Sequence, residues 1–176
     1  FTPCIGPVSF TTSCVETGLP YTENFNAVTT PAIPQCMSIQ TLAGTPWTTS
    51  VAPVGMTGKA ASINYSGSTQ NTWLFPPGLA IPASSIRLMY KYINNYNFYS
   101  ESMSVYFGTS PDAASMTTLL ADHPVINTAT LATDTVTFTP ATAGVYYIGF
   151  KGYSAANQSM LYLDDIVVML TPSCEE

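Results

Sequence analysis

Apolar residues recur along the chain in short runs with a period of two. The clearest run is 85–93, SIRLMYKYI, with Ile86, Leu88, Tyr90 and Tyr92 on one face and Arg87, Met89 and Lys91 on the other. Side chains alternate across a strand, so this pattern predicts a strand with one face in a core. The same reading predicts strands at 21–26, 36–40, 47–50, 61–65, 71–75, 103–107, 135–139, 145–153 and 160–170. Turn formers separate them: Pro31 and Pro34, Gly44, the glycine-containing 54–59, Gly67, Pro76-Pro77-Gly78 and Gly144. Residues 108–120 predict one helical turn begun by Asp112 and then a short strand. Pro124 predicts that the segment around His123 is a loop. Short strands at roughly ten-residue spacing predict an all-β chain, a sandwich of two antiparallel sheets with at most one or two helical turns.

One run breaks its own pattern. Residues 160–170, MLYLDDIVVML, are apolar except for Asp164 and Asp165. An unpaired charge inside a core costs several kcal/mol, so this pair must meet solvent, a backbone donor or a cation. Neighbours on a regular strand point to opposite faces. Either one acid is directed elsewhere or the strand bulges there. Glu23 in YTENF, near the start of the chain, is the candidate third carboxylate. The two segments are expected to lie side by side and fix a metal ion, with Glu23, Asp165, Asp164 and Asn24 as ligands and Asn26 and loop carbonyls in reserve. Oxygen donors of this kind suit calcium.

Composition narrows the class. The chain has 176 residues, enough for one domain with a full core, and only 8% of them are charged. Thr, Ser, Asn and Gln take the place of charge, which reads as an extracellular β-protein. The net charge is −6, and Lys59, Arg87, Lys91 and Lys151 are the four basic residues. Four scattered cations cannot neutralise a phosphate backbone, so nucleic acid is excluded as a partner. No apolar run reaches the length of a membrane span, so no membrane insertion is expected. Cys4, Cys14, Cys36 and Cys174 form no CxxC, and His123 is the only histidine, which leaves no zinc signature. Four cysteines in such a chain read as two disulfides; Cys14–Cys36 with Cys4–Cys174 is the favoured pairing of three.

Several segments taken together carry a resemblance. PYTENFN at 20–26, Pro34-Gln35-Cys36, the WTTS stretch from Trp47, TWLFPPGLAI at 72–81, SESMSVYFGTS at 100–110 and YYIGFKGYSAANQSMLYLDDIVV at 146–168 occur in that order. This resembles the cleaved-adhesin and choice-of-anchor J family, MAM-like jelly-roll modules of Bacteroidetes secreted and surface proteins, similar to gingipain haemagglutinin-adhesin domains. Met37 stands where such modules often carry Trp. The resemblance implies a galactose-binding-like jelly roll over 20–170, an extended entry segment over 1–19 and the start of a linker over 171–176. It implies structural calcium, and adhesion or glycan binding within a larger secreted or cell-surface protein. The chain opens at Phe1 as if processed or excised from such a protein.

The recognition site is expected in the loop at 94–102. Tyr96, Phe98 and Tyr99 offer rings that stack on sugars, and Asn94, Asn97 and Glu101 offer hydrogen bonds to hydroxyls. Tyr153 and Asn157, at 153–159, form a second such loop. Trp47 and Trp73 have strand neighbours and are expected in the core. No catalytic residues are identified: one histidine beside a proline makes no triad, and the acids are better used as above. The chain therefore reads as a monomeric, non-catalytic extracellular binding module. Its partners are a glycan or other surface ligand and neighbouring domains of its own chain. The alternatives are a protein-interaction or spacer module without a sugar site, and an accessory domain of a secreted hydrolase.

Overall fold

The period-two runs form twelve strands among the described residues, 14–172 of this computed structural model. They are β1 (Tyr21–Glu23), β2 (Ser38–Ala43), β3 (Trp47–Val51), β4 (Lys59–Ile63), β5 (Asn71–Phe75), β6 (Leu79–Ile81), β7 (Ile86–Asn94), β8 (Glu101–Gly108), β9 (Thr118–Ile126), β10 (Ala132–Phe138), β11 (Gly144–Gly152) and β12 (Leu161–Leu170). The first sheet runs β10-β7-β12-β4-β3, with β1 also on β12. The second runs β2-β5-β11-β8-β9, with β6 also on β11. All these pairings are antiparallel. The predicted sandwich is thus the observed one, and the predicted helical turn is a single 3-10 turn, Ala113–Ser115, capped by the Asp112 carboxylate.

The core lies between the sheets. Ile86, Leu88 and Tyr90 of β7 face Val105 of β8 and Ile148 and Phe150 of β11, and Trp47, Leu163 and Ile166 join them. Burying a side chain of this size contributes about 1.5–3 kcal/mol. Met37 is buried in the same cluster, where a flexible thioether fills the space. Trp73 is buried too, but in a separate cluster with Phe75 and Met116 on the outer face of the second sheet.

Pro124 did not end the strand. Residues 118–126 are all β9, with Pro124 inside it. A proline removes one ladder donor, which an edge strand tolerates because that side has no neighbour. β9 is such an edge. The hydrophobic pattern does not predict the three-residue β6 either. The described part of the entry segment pairs with it through Thr17 and Leu79. Cys14 and Cys36 are joined, tying that segment to the chain just before β2. Cys4 and Cys174, and with them the second expected disulfide, lie outside the described residues.

His123 of β9 joins the two sheets at their edges. The Tyr90 hydroxyl donates to Asp134 Oδ2 at 2.7 Å, so its oxygen is left to accept from His123 Nε2 at 2.8 Å. His123 Nδ1 then accepts from the Tyr92 hydroxyl at 3.1 Å. Burial holds the imidazole below its usual range, against the opposing pull of Asp134 and Asp122. A histidine whose folded pKa is depressed contributes stability that is full above its unfolded value of about 6.5 and is lost as pH falls through the folded one. His123→Ala is therefore expected to cost about 1–2 kcal/mol at pH 7.5. Urea unfolding should show that deficit shrinking as pH drops below 6.5; a deficit constant with pH would mean the ring is not held neutral.

Candidate functional site

β12 changes partners halfway along one edge. Leu161–Leu163 pair with Ile63–Ala61 of β4, and Ile166–Val168 pair with Glu23–Tyr21 of β1. Asp164 and Asp165 fall in the gap between them. On the other edge β7 stays paired throughout, and its register with β12 shifts between Asp164 and Val167. The shift is a bulge, with Asp165 at φ 48°, a conformation that Asp tolerates better than most residues. Its effect is a change of parity. Leu161 and Leu163 face the core before it, and Ile166 and Val168 after it. Neither acid has to enter the core.

The expected neighbourhood of the acids follows from this ladder. Glu23, Asn24 and Asp165 line one cleft of about 330 Å³ with Thr22, Ala27 and Val167. Asp165 Oδ2 accepts from Lys91 Nζ at 2.8 Å. Glu23 Oε1 accepts from the main-chain N–H of Phe25 at 2.6 Å, and Asn24 Oδ1 from that of Asn26 at 3.2 Å. These two contacts hold a turn in which Phe25, fully buried, has φ 56°, which is unfavourable for an aromatic residue. The loop beyond is held by Lys59, whose Nζ donates to the carbonyls of Asn26 and Val28. Glu23 and Asn24 therefore already serve the backbone, each with further acceptor capacity.

Asp164 lies deeper, 3% exposed, with Oδ1 accepting from the Asp165 N–H at 2.8 Å. Burial pushes its carboxyl up to about 6; that N–H and Lys91 oppose the rise, and Asp165 and Glu23 add to it. Three carboxylates thus share one field. The donors are all oxygen, which suits a hard cation such as calcium. Among the described residues no three His, Cys, Asp or Glu side chains gather closely enough to hold an ion. An ion here would need amide and main-chain oxygens as well.

The aromatic loop stands at the end of the sandwich where β7 passes to β8. Phe98 is 89% exposed, Tyr96 53% and Tyr99 43%, and Asn97 is exposed between them. The Tyr96 and Tyr99 rings meet edge to face at 6.5 Å. Asn94 and Glu101 are placed differently from the sequence expectation: both are buried. Asn94 Nδ2 donates to the carbonyls of Tyr99 and Ile126 at 2.7 and 3.0 Å, and its Oδ1 accepts from Tyr96 N. Glu101 Oε2 accepts from Ser154 Oγ at 2.6 Å, and burial pushes its carboxyl up. These two side chains build the base of the loop and leave the rings to face outward. Ser100 N donates to Gln158 Oε1, tying the loop to 153–159. There Tyr65 donates to Asn157 at 2.8 Å, and Tyr153 donates to Asp122 at 2.6 Å.

The family model described as the Cleaved Adhesin Domain matches residues 20–168. Among solved structures, the K1 cleaved adhesin domain of Lys-gingipain from Porphyromonas gingivalis is 19% identical with a TM-score of 0.72, covering 87% of this chain and 99% of that one. The K3 domain of the same protein is 22% identical with a TM-score of 0.65, over 85% and 96%. The CBM22-1 xylan-binding domain of Paenibacillus barcinonensis Xyn10C is 8% identical with a TM-score of 0.62, over 91% and 99%. These likenesses are of fold. No curated protein sequence matches the chain.

Asp164 has a folded pKa above its unfolded value of about 3.9. Its stabilising contribution is therefore full below about 3.9 and is lost as pH rises through about 6. Asp164→Asn keeps the acceptor for the Asp165 N–H and removes the titration. In chelator it is expected to match the parent at pH 4 and to exceed it by about 1–3 kcal/mol at pH 7.5. Denaturant unfolding at the two pH values checks this, and equal differences at both would refute the assignment.

Proposed function

The chain belongs to the cleaved adhesin domain family, and from that premise we propose that it is a non-catalytic recognition module that binds glycans through the rings at 96–99. The observation that carries this reading is the exposure of Phe98, Tyr96 and Tyr99 on a loop whose base is fixed by buried hydrogen bonds. Exposed rings are unfavourable in water, and a sugar offers them an apolar face of C–H groups without demanding a deep pocket. A rigid base means that little ordering entropy is lost on binding. The setting proposed is extracellular, within a longer secreted or surface-attached protein, where a module of this kind holds its neighbours against a glycan-bearing surface. The likeness in fold to a xylan-binding domain makes xylohexaose a sensible first probe beside a broad glycan array.

A structural calcium ion is the second part of the proposal. Glu23, Asp165 and Asn24 would hold it in the cleft beside β12, with Asp164 lending charge from below. The ion would supply positive charge to a place where acids outnumber the facing lysine. Support comes from the oxygen-only donors and from the raised Asp164 carboxyl. Lys91 competes for Asp165, so its removal should favour the ion.

Two outcomes are expected. The double variant Tyr96→Ala with Tyr99→Ala should weaken binding to array-identified glycans at least tenfold, about 1.4 kcal/mol. Its unfolding free energy should stay within about 0.5 kcal/mol of the parent, because the rings are exposed. Unchanged affinity would remove the loop from the reading. Calcium at roughly 100 times its Kd should raise the melting temperature on the order of 5–10 °C over chelator. Asp165→Ala should abolish that increment and Lys91→Met enlarge it. Identical melting with and without chelator would rule the ion out.

A further inference from the structure

One register row crosses the second sheet from edge to edge. Gln40 of β2 opposes Trp73 of β5, Trp73 opposes Lys151 of β11, Lys151 opposes Ser104 of β8, and Ser104 opposes Asp122 of β9. Directly opposed residues share a face. The residues beside them on three of these strands, Leu74, Phe150 and Val105, are in the core, so the row faces outward. The outer face of a sandwich usually carries short polar side chains. Here it carries an indole, an ammonium, a hydroxyl and a carboxylate in one line.

These groups are arranged around an open groove of about 240 Å³ lined by Ser104, Tyr106, Leu119, Asp122, Lys151 and Tyr153. Asp122 Oδ1 accepts from the Tyr153 hydroxyl at 2.6 Å and from Ser104 Oγ at 2.8 Å. Those hydrogen bonds, Tyr153 first, hold its carboxyl below the usual range, so it is an ionised acceptor at neutral pH. Lys151 Nζ sits 5.4 Å from the Trp73 ring and 5.8 Å from the Tyr153 ring. Among the described residues it has no carboxylate within ion-pair distance, whereas Lys91 is taken by Asp165 and Lys59 by main-chain carbonyls. Tyr106 packs on Trp73 at 5.2 Å between ring centroids, and the Leu119 side chain is exposed at the rim.

We propose that this groove is a second carbohydrate site, separate from the aromatic loop, that takes one neutral pyranose ring by a pair of adjacent hydroxyls. One hydroxyl donates to the Asp122 carboxylate and its neighbour accepts from the Lys151 ammonium. The C–H face of the ring lies on Tyr106 and Leu119. With one carboxylate and one ammonium the groove carries no net charge, which suits an uncharged ring. The site draws its residues from three strands of one sheet and from Tyr153 just beyond β11, so it does not depend on the loop at 94–102.

The test is a nitrogen-15 amide NMR titration of the whole chain with the methyl pyranosides of xylose, glucose, galactose and mannose. At least one should give saturable, millimolar shifts at Ser104, Tyr106, Asp122, Lys151 and Tyr153. The shifts should persist in the Tyr96→Ala, Tyr99→Ala double variant, which separates this site from the loop. Asp122→Asn and Lys151→Met should each weaken them at least tenfold while keeping a dispersed spectrum and an unchanged melting temperature. No saturable shift at the groove with any of the four sugars, shifts confined to residues 95–100, or unchanged affinity in both groove variants would overturn the proposal.

Discussion

The structure depends on how β12 fits three partners at once. It runs through the centre of the first sheet with β7 along one side and β4 and then β1 along the other. A strand that exchanges one neighbour for another leaves a stretch where main-chain groups lose their regular partners. The bulge at Asp164-Asp165 fills that stretch. It adds one residue, resets which side chains face inward, and lets four apolar residues reach the core on both sides of two acids. A regular strand carrying all of these residues would place one carboxylate between the sheets, at a cost of several kcal/mol, and would also turn either Leu161 and Leu163 or Ile166 and Val168 outward.

The two proposed recognition surfaces are carried on this frame. The segment between β7 and β8 projects at one end, with Tyr96, Phe98 and Tyr99 exposed. Its base is fixed by Asn94 and Glu101, so the loop exposes rings without becoming loose. The groove on the second sheet lies toward the same end, because Ser104 and Lys151 are near the start of β8 and the end of β11. The acid cleft is on the other sheet, beside β1.

What was legible in the sequence was what local pattern controls. Period-two alternation locates β7 to within a residue at each end, and the 71–75 run coincides with β5. Two charges in an apolar run flagged the bulge, and YTENF flagged its neighbour, because charge burial is costly wherever it occurs. Pro124 misled, since whether a proline ends a strand depends on whether that strand lies at an edge, which is a tertiary fact. Asn94 and Glu101 look like surface polar residues beside aromatics. Only hydrogen bonds to residues 5 to 53 positions away turn them inward. Trp73, Ser104, Asp122 and Lys151 are widely spaced in the chain and become one row only through strand register, which no local window contains.

The role of the bulge can be measured by urea unfolding of a chain from which Asp165 is deleted, with Asp165→Gly as its companion. Glycine keeps the extra residue and adopts positive φ readily, and the lost surface ion pair is worth at most about 1 kcal/mol. In chelator, the account predicts that Asp165→Gly unfolds within about 1 kcal/mol of the parent. The deletion removes the one extra residue, so a regular strand carries Leu161, Leu163, Ile166 and Val168 on one face, and the variant should fold cooperatively within about 2 kcal/mol of the parent. A deletion variant that no longer unfolds cooperatively would contradict it.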